Sequence, residues 1–147
     1  MKTSQLLLKL KGRIKKYKPK IQNNQKEGSI NQIMSRYNLE NFNEIMNSPI
    51  EEADEEIDEK ELNDLQNRID HYFSLYAPDD VDFREFIKVI STYLTFIAKK
   101  PLHPPGIVFS NGERVYKKEG IYYCTGKRIF IKDDLSLCKH CVCKGIY

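Results

Sequence analysis

All four cysteines of this 147-residue chain fall within its last twenty-four residues: Cys124, then Cys138-Lys-His-Cys141-Val-Cys143. Sulfur collected this tightly limits what the tail can fold into. A Cys-x-x-Cys turn lets Cys138 and Cys141 aim at one point. Cys141 and Cys143, two apart, share a face wherever the backbone is extended. A tetrahedral Zn²⁺ site needs sulfurs roughly 3.8 Å apart, with Zn–S bonds of about 2.3 Å. The spacing therefore predicts one metal site, Zn²⁺ held by Cys124, Cys138, Cys141 and Cys143. Lys127, Arg128, Lys139 and Lys144 stand beside these positions. They would offset the negative charge of four thiolates and favour the ligating form.

Several rivals compete with this reading. His140 or His103 could replace a cysteine in a Cys₃His site. A Fe–S cluster also takes four cysteines. Two disulfides would need an oxidising compartment, and the start of the chain does not read as a secretory signal. Its apolar cluster, Leu6-Leu7-Leu8, is broken at once by Lys9. Cys124 alone could be a buried hydrophobe. No apolar run is long enough for a membrane span, so the expectation is a cytoplasmic protein with no membrane association.

Charge is divided unevenly. Residues 1–47 carry ten Lys and Arg against three acids, residues 48–98 four against fourteen, and residues 99–147 ten against four. The basic ends either pack on the acidic middle or offer a surface to nucleic acid or a protein partner.

The periodicity predicts a helical body. Leu6, Leu7, Leu10, Ile14 and Tyr17 recur at helical steps over Ser4 to Tyr17, capped by Thr3 or Ser4 and ended near Pro19. The lysines of this helix could meet a membrane surface or a phosphate backbone, but such a helix more often docks its leucines and leaves its lysines in water. Lys20 to Gly28 reads as a loop. Ser29 can cap a helix with Ile30, Ile33, Met34 and Tyr37, and a further turn carries Phe42, Ile45 and Met46. Ser48-Pro49-Ile-Glu51 reads as the start of another helix, with Ser48 as cap. Glu51 to Glu61 holds eight acids and one lysine. It lacks a calcium-loop pattern and reads as a solvated face, with a restart at Asp58. Leu62, Leu65, Ile69, Phe73 and Tyr76 form the next stripe, on which His71 is isolated. Asp79 or Asp80 caps the last helix. Its wide stripe, Phe83, Phe86, Ile87, Ile90, Tyr93, Leu94 and Ile97, is expected at the centre of the core.

The chain then changes character. Pro101-Leu-His103-Pro-Pro105 is a stiff, extended strap. It either presents His103 to a site or carries it as packing. Asn111-Gly112 signals a hairpin, Ile121 to Cys124 reads as a strand, and Lys127 to Ile131 as a returning strand. The fold class expected is α+β. A mainly helical body, residues 1–98, precedes a small antiparallel β, cysteine-rich, metal-binding region, residues 99–147. The two could form one continuous domain.

Lys100-Pro-Leu-His-Pro-Pro-Gly106, Tyr122-Tyr-Cys124 and Cys138-Lys-His-Cys141-Val-Cys143 together resemble an uncharacterised protein family of methanogenic archaea, over roughly residues 80–147. The resemblance implies an intracellular protein of an anaerobe, where thiolates survive, and adds weight to a Fe–S cluster. It implies no catalytic residues. The function expected is a non-catalytic, zinc-binding interaction module. The alternatives are a purely structural zinc clip, a Fe–S protein, and a redox or metal-dependent enzyme using the cysteines with His103.

Overall fold

The computed structural model describes residues 1–17, 28–49 and 54–146. Helix α1 spans Thr3–Ile14, α2 Ile30–Asn47, α3 Glu59–Tyr76 and α4 Val81–Thr92. The last runs straight into a wider π-helical segment, Tyr93–Ala98. Strands β1, Val115–Lys118, and β2, Ile121–Cys124, precede a one-turn helix α5, Lys127–Phe130, and a short β3, Lys144–Gly145. The fold is mainly helical α+β, as expected from the sequence. Among the described residues no helix is long and apolar enough to cross a membrane.

Leu6, Leu7, Leu10 and Ile14 of α1 are buried, as their spacing requires. The capping differs from expectation. Thr3 and Ser4 lie inside the first turn, and the cap position is Lys2. Asp54 serves the exposed helix start instead, accepting from the Ser4 amide at 2.8 Å and the Ser4 hydroxyl at 2.8 Å. These bonds hold its carboxyl below the usual range. A carboxylate at the positive end of a helix is favourable. Part of the acidic run is therefore used by the basic helix, and Glu56 takes both the N-terminal amine and Lys2.

Ser29 caps α2 through the Gln32 amide. The two apolar groups read from the sequence belong to one helix. Ser48 closes α2, its hydroxyl donating to the Glu44 carbonyl at 2.6 Å. The rest of the helix start expected at Ser48, residues 50–53, lies outside the described residues, as does most of the loop expected over 20–28. Asp58 caps α3 through the Lys60 amide at 3.0 Å. Leu62, Leu65, Ile69 and Phe73 are buried, while Tyr76, one turn further, is 67% exposed.

The α4–π unit packs against α1, α2 and α3 and forms the centre of the main core. Phe83 at its start is exposed. Every residue from Val89 at the end of α4 to Phe96 in the π segment is buried. The helix ends at Lys99, whose φ is +55°. The Lys100 amide bonds the Leu94 carbonyl at 2.9 Å, closing the end in Schellman fashion. Lys100 also donates to Glu44 at 2.7 Å, and Tyr93 donates to the same carboxylate at 2.6 Å. Burial opposes ionisation of Glu44, yet the two donors prevail and its carboxyl titrates below the usual range.

The strap crosses from α4 to the sheet without regular secondary structure. The Tyr37 hydroxyl anchors it, donating to the Pro101 carbonyl at 2.6 Å. Asn111-Gly112 makes the expected tight turn, with Gly112 at φ +86° and Phe109 bonded to Glu113 at 2.7 Å. A second turn joins β1 to β2 at Glu119-Gly120, both residues with positive φ. That geometry matches the right-handed twist of a two-residue hairpin.

Two expectations about the tail are corrected. Lys127 to Ile131 is not a returning strand. Its residues lack strict alternation, and the Gly126 carbonyl accepts from both Ile129 and Phe130, winding one helical turn. The sheet is not wholly antiparallel. β1 and β2 pair antiparallel, whereas β3 runs parallel to β2. A chain that crosses over through a helix re-enters in the same direction. A second small core lies under this sheet: Ile107, Val115 and Cys143, packed by Ile30, Ile33 and Met34 of α2 and by Phe109 and Tyr122.

The left-handed Lys99 gives a direct test of this helix end. A side chain there costs roughly 1–2 kcal/mol, partly offset by the extra chain entropy a glycine loses on folding. Lys99→Gly is expected to raise the unfolding free energy by about 0.5–1 kcal/mol in urea titration.

Candidate thiol cavity

Cys124 ends β2. Leu137 then starts a turn, its carbonyl accepting from both His140 at 2.9 Å and Cys141 at 3.1 Å. This turn folds the Cys-x-x-Cys loop back on itself. The Cys138 amide is held by the Ser136 hydroxyl at 3.1 Å. Cys143, buried, precedes β3. All four cysteines are free thiols and line one cavity of about 520 Å³. Met34, Ile87, Ile90, Leu94, Leu102, Phe109, Val115 and Leu137 give its apolar wall, and His103 and Lys127 also face it.

The thiols are not equivalent. The Cys143 thiol donates to Cys141, which lowers Cys141 to about 6 against the cost of burial; backbone amides of Leu102 and Cys143 and the charge of Lys127 assist. The same bond, with burial, pushes Cys143 up. One proton is thus shared by the pair. Burial raises Cys138. Lys127 holds the segment by its backbone, donating to the carbonyls of Cys141 at 2.9 Å and Cys143 at 2.7 Å.

The two histidines have separate roles. His103 sits edge-on to Phe109, ring centroids 5.1 Å apart, and burial keeps it below the usual histidine range. It therefore faces the thiols as a neutral ring at neutral pH. His140 is buried, but its Nδ1 lies 2.9 Å from Glu61 and its Nε2 2.6 Å from Asp64. Both nitrogens are taken by carboxylates of α3. The isolated His71 is exposed.

Glu61, Asp64 and Arg68 are the residues that sequence reasoning missed. Asp64 is held below the usual carboxylate range by His140 first and Arg68 second. Arg68 reaches the carbonyls of Asp133 at 3.2 Å and Ser136 at 3.0 Å. These side chains latch the cysteine loop to α3. A signal existed in the three- and four-residue spacing of Glu61, Asp64 and Arg68, which puts them on one helix face. Among the described residues, no three Cys, His, Asp or Glu side chains stand positioned around a common point to hold an ion.

A helical body, a strap and a small sheet closing over a four-thiol cavity define a cysteine-rich α+β protein. The chain belongs to the family described as "Uncharacterized protein conserved in archaea (DUF2115)", whose model matches residues 3–146. This extends the likeness carried by the tail motifs to nearly the whole chain. Similar proteins come from methanogens. A UPF0305 protein of Methanocaldococcus jannaschii is 41% identical over 116 residues, covering 78% of this chain and 70% of the relative. One from Methanococcus maripaludis strain C6 is 33% identical over 104 residues, covering 70% and 63%. One from Methanothermobacter thermautotrophicus is 32% identical over 66 residues, covering 45% and 43%. No solved structure matches the chain.

Of the four thiols, Cys141 is the one held below the usual thiol range. In metal-free protein its alkylation by iodoacetamide is expected to rise with a midpoint near pH 6. Cys143→Ala should move that midpoint upward, because the donor to the thiolate is gone. Peptide mapping of the alkylated protein reads both values.

Proposed function

We propose that this protein is a non-catalytic, zinc-binding module of the cell interior, with Cys124, Cys138, Cys141 and Cys143 as the ligands. The observation that carries the reading is the meeting of the chain's whole cysteine complement at one cavity. One of those thiols gives up its proton near pH 6. Thiolates are the form that binds zinc, and cations beside them favour it. The cavity gives the sulfurs room to draw inward onto an ion. Four cysteines close a tetrahedral site and leave no open position for a substrate, hence a structural role.

A Fe–S cluster is the second reading: it takes the same four thiolates, and the cavity they line has room for it. Both readings use the same ligands. An enzyme using His103 would instead keep one coordination position open, with three cysteines bound.

Metal analysis decides among them. Protein purified without air is expected to be colourless, with about one Zn²⁺ per chain and less than half of that in Cys141→Ser. A brown protein with broad visible absorption and iron would establish the cluster instead. Absence of both metals after anaerobic purification would sink the reading.

The second test concerns the clamp. Small sheets are marginal alone, and a structural zinc site supplies folding free energy directly. Chelation should therefore speed amide exchange over residues 107–146 and leave α3 and α4 protected. Unchanged protection in the tail would mean that the cysteines do not clamp it. Joint loss in tail and helices would mean one cooperative unit.

A further inference from the structure

The exposed face of the sheet carries chemistry that the thiol cavity does not use. Along β1 and β2, side chains alternate between faces. Val115, Tyr122 and Cys124 point into the second core. Arg114, Tyr116, Lys118, Ile121 and Tyr123 belong to the other face, and Lys144 of β3 is the register partner of Tyr123. Arg114, Lys118, Ile121 and Lys144 are exposed there, and both tyrosines are half-buried.

The two tyrosines, directly opposite in the register, stack with centroids 5.3 Å apart and planes 20° from parallel. The Arg114 guanidinium lies 4.9 Å from the Tyr116 centroid and extends this column. Arg114 and Tyr116 are neighbours along one strand, and the stack crosses from Tyr116 to Tyr123 of β2. Beyond Tyr123 comes Lys144. Among the described residues, Arg114, Lys118 and Lys144 have no carboxylate within ion-pairing distance, whereas Arg128 takes Glu113 and Lys139 takes Asp64.

We propose that this face binds single-stranded RNA, one base extending the Tyr116–Tyr123 stack and Arg114, Lys118 and Lys144 holding the flanking phosphates. The charge of the region, ten cations against four acids over residues 99–147, complements a polyanion. The rings select among polyanions. A base offers a flat π-face to a tyrosine stack, which an acidic peptide or a lipid headgroup lacks. In a duplex those faces are already stacked on neighbours, so loops and free ends of RNA are the targets. The inference names the partner of the module proposed above and rests on that reading only for the order of the tail.

The test uses the full chain with its metal and a fluorescein-labelled RNA of about a dozen nucleotides, a length within the usual single-strand site range. Binding is expected to fall steeply with salt. Tyr123→Ala should weaken it about 5- to 150-fold, the equivalent of ~1–3 kcal/mol per stacked base. Tyr123→Phe should bind within about twofold of the native chain, since the ring alone stacks. Lys144→Gln should lower the salt slope by roughly 0.7, one single-strand phosphate contact.

Far-UV circular dichroism and metal content are measured on every variant. If Tyr123→Ala fails to fold, Tyr123→Phe and the exposed Lys144→Gln still carry the test. Four outcomes would overturn the proposal: no binding at low salt, equal binding of a duplex of the same sequence, tighter binding of the DNA oligomer, or displacement of the RNA by an acidic polypeptide or anionic vesicles at equal charge concentration. Full metal content with no RNA binding would remove this inference and leave the zinc reading standing. RNA binding by protein that carries neither metal after anaerobic purification would leave this inference standing and remove the zinc reading.

Discussion

Helix α2 ties the molecule together by apolar burial on two sides. Its later residues, Tyr37 and Ile45, lie in the core formed with α1, α3 and the α4–π unit. Its first turns lay Ile30, Ile33 and Met34 on the small core beneath the sheet. A fully buried side chain of this kind contributes about 1.5–3 kcal/mol, and these three, partly buried, somewhat less each. The exposed Lys139–Asp64 pair joining the same regions contributes about 0–1 kcal/mol. Packing on α2, not charge, therefore sets where the cysteine-bearing region sits, and the Tyr37–Pro101 bond fixes the angle of the strap that reaches it.

Charge then sets the finer alignment. Lys2 meets Glu56, Arg13 meets Glu85, Lys100 meets Glu44 and Lys139 meets Asp64. Each pair links a basic end to the acidic middle or to α2, so a large part of the asymmetry in the sequence is used internally. Where burial is deeper the pairing is denser: the largely buried Glu85 faces Arg13 and Arg84 together. The cations on the open face of the sheet are the contrast. No acid stands opposite them: Lys118 faces Ile121, Lys144 faces Tyr123 and Arg114 bridges Val108.

Features governed by local chemistry were legible in the sequence. Asp58 and Ser29 cap because their side chains reach an amide two or three residues on. Asn111-Gly112 turns because glycine tolerates its positive φ. The four cysteines share a cavity because few arrangements gather them otherwise. The features that were not legible depend on distant partners. Lys127 to Phe130 winds into a turn whose lysine is pinned by carbonyls fourteen and sixteen residues away. Thr3 and Ser4 look like caps, but Asp54, fifty residues on, takes that work. Ser48 reads equally well as an end or a beginning, and its hydroxyl on the Glu44 carbonyl makes it the end of α2. His140 looked like a spare ligand until α3 supplied two carboxylates for it.

The placement of the cysteines also orders events during synthesis. The walls of the cavity come from α2, α4 and the strap, all made before the segment 136–143 that closes it. Cys124 leaves the ribosome ahead of the other three sulfurs, on a hairpin that can already pair. Segment 136–143 then docks on α3 through His140 and Arg68. The part of the wall that carries three of the four thiols is therefore the last to be placed.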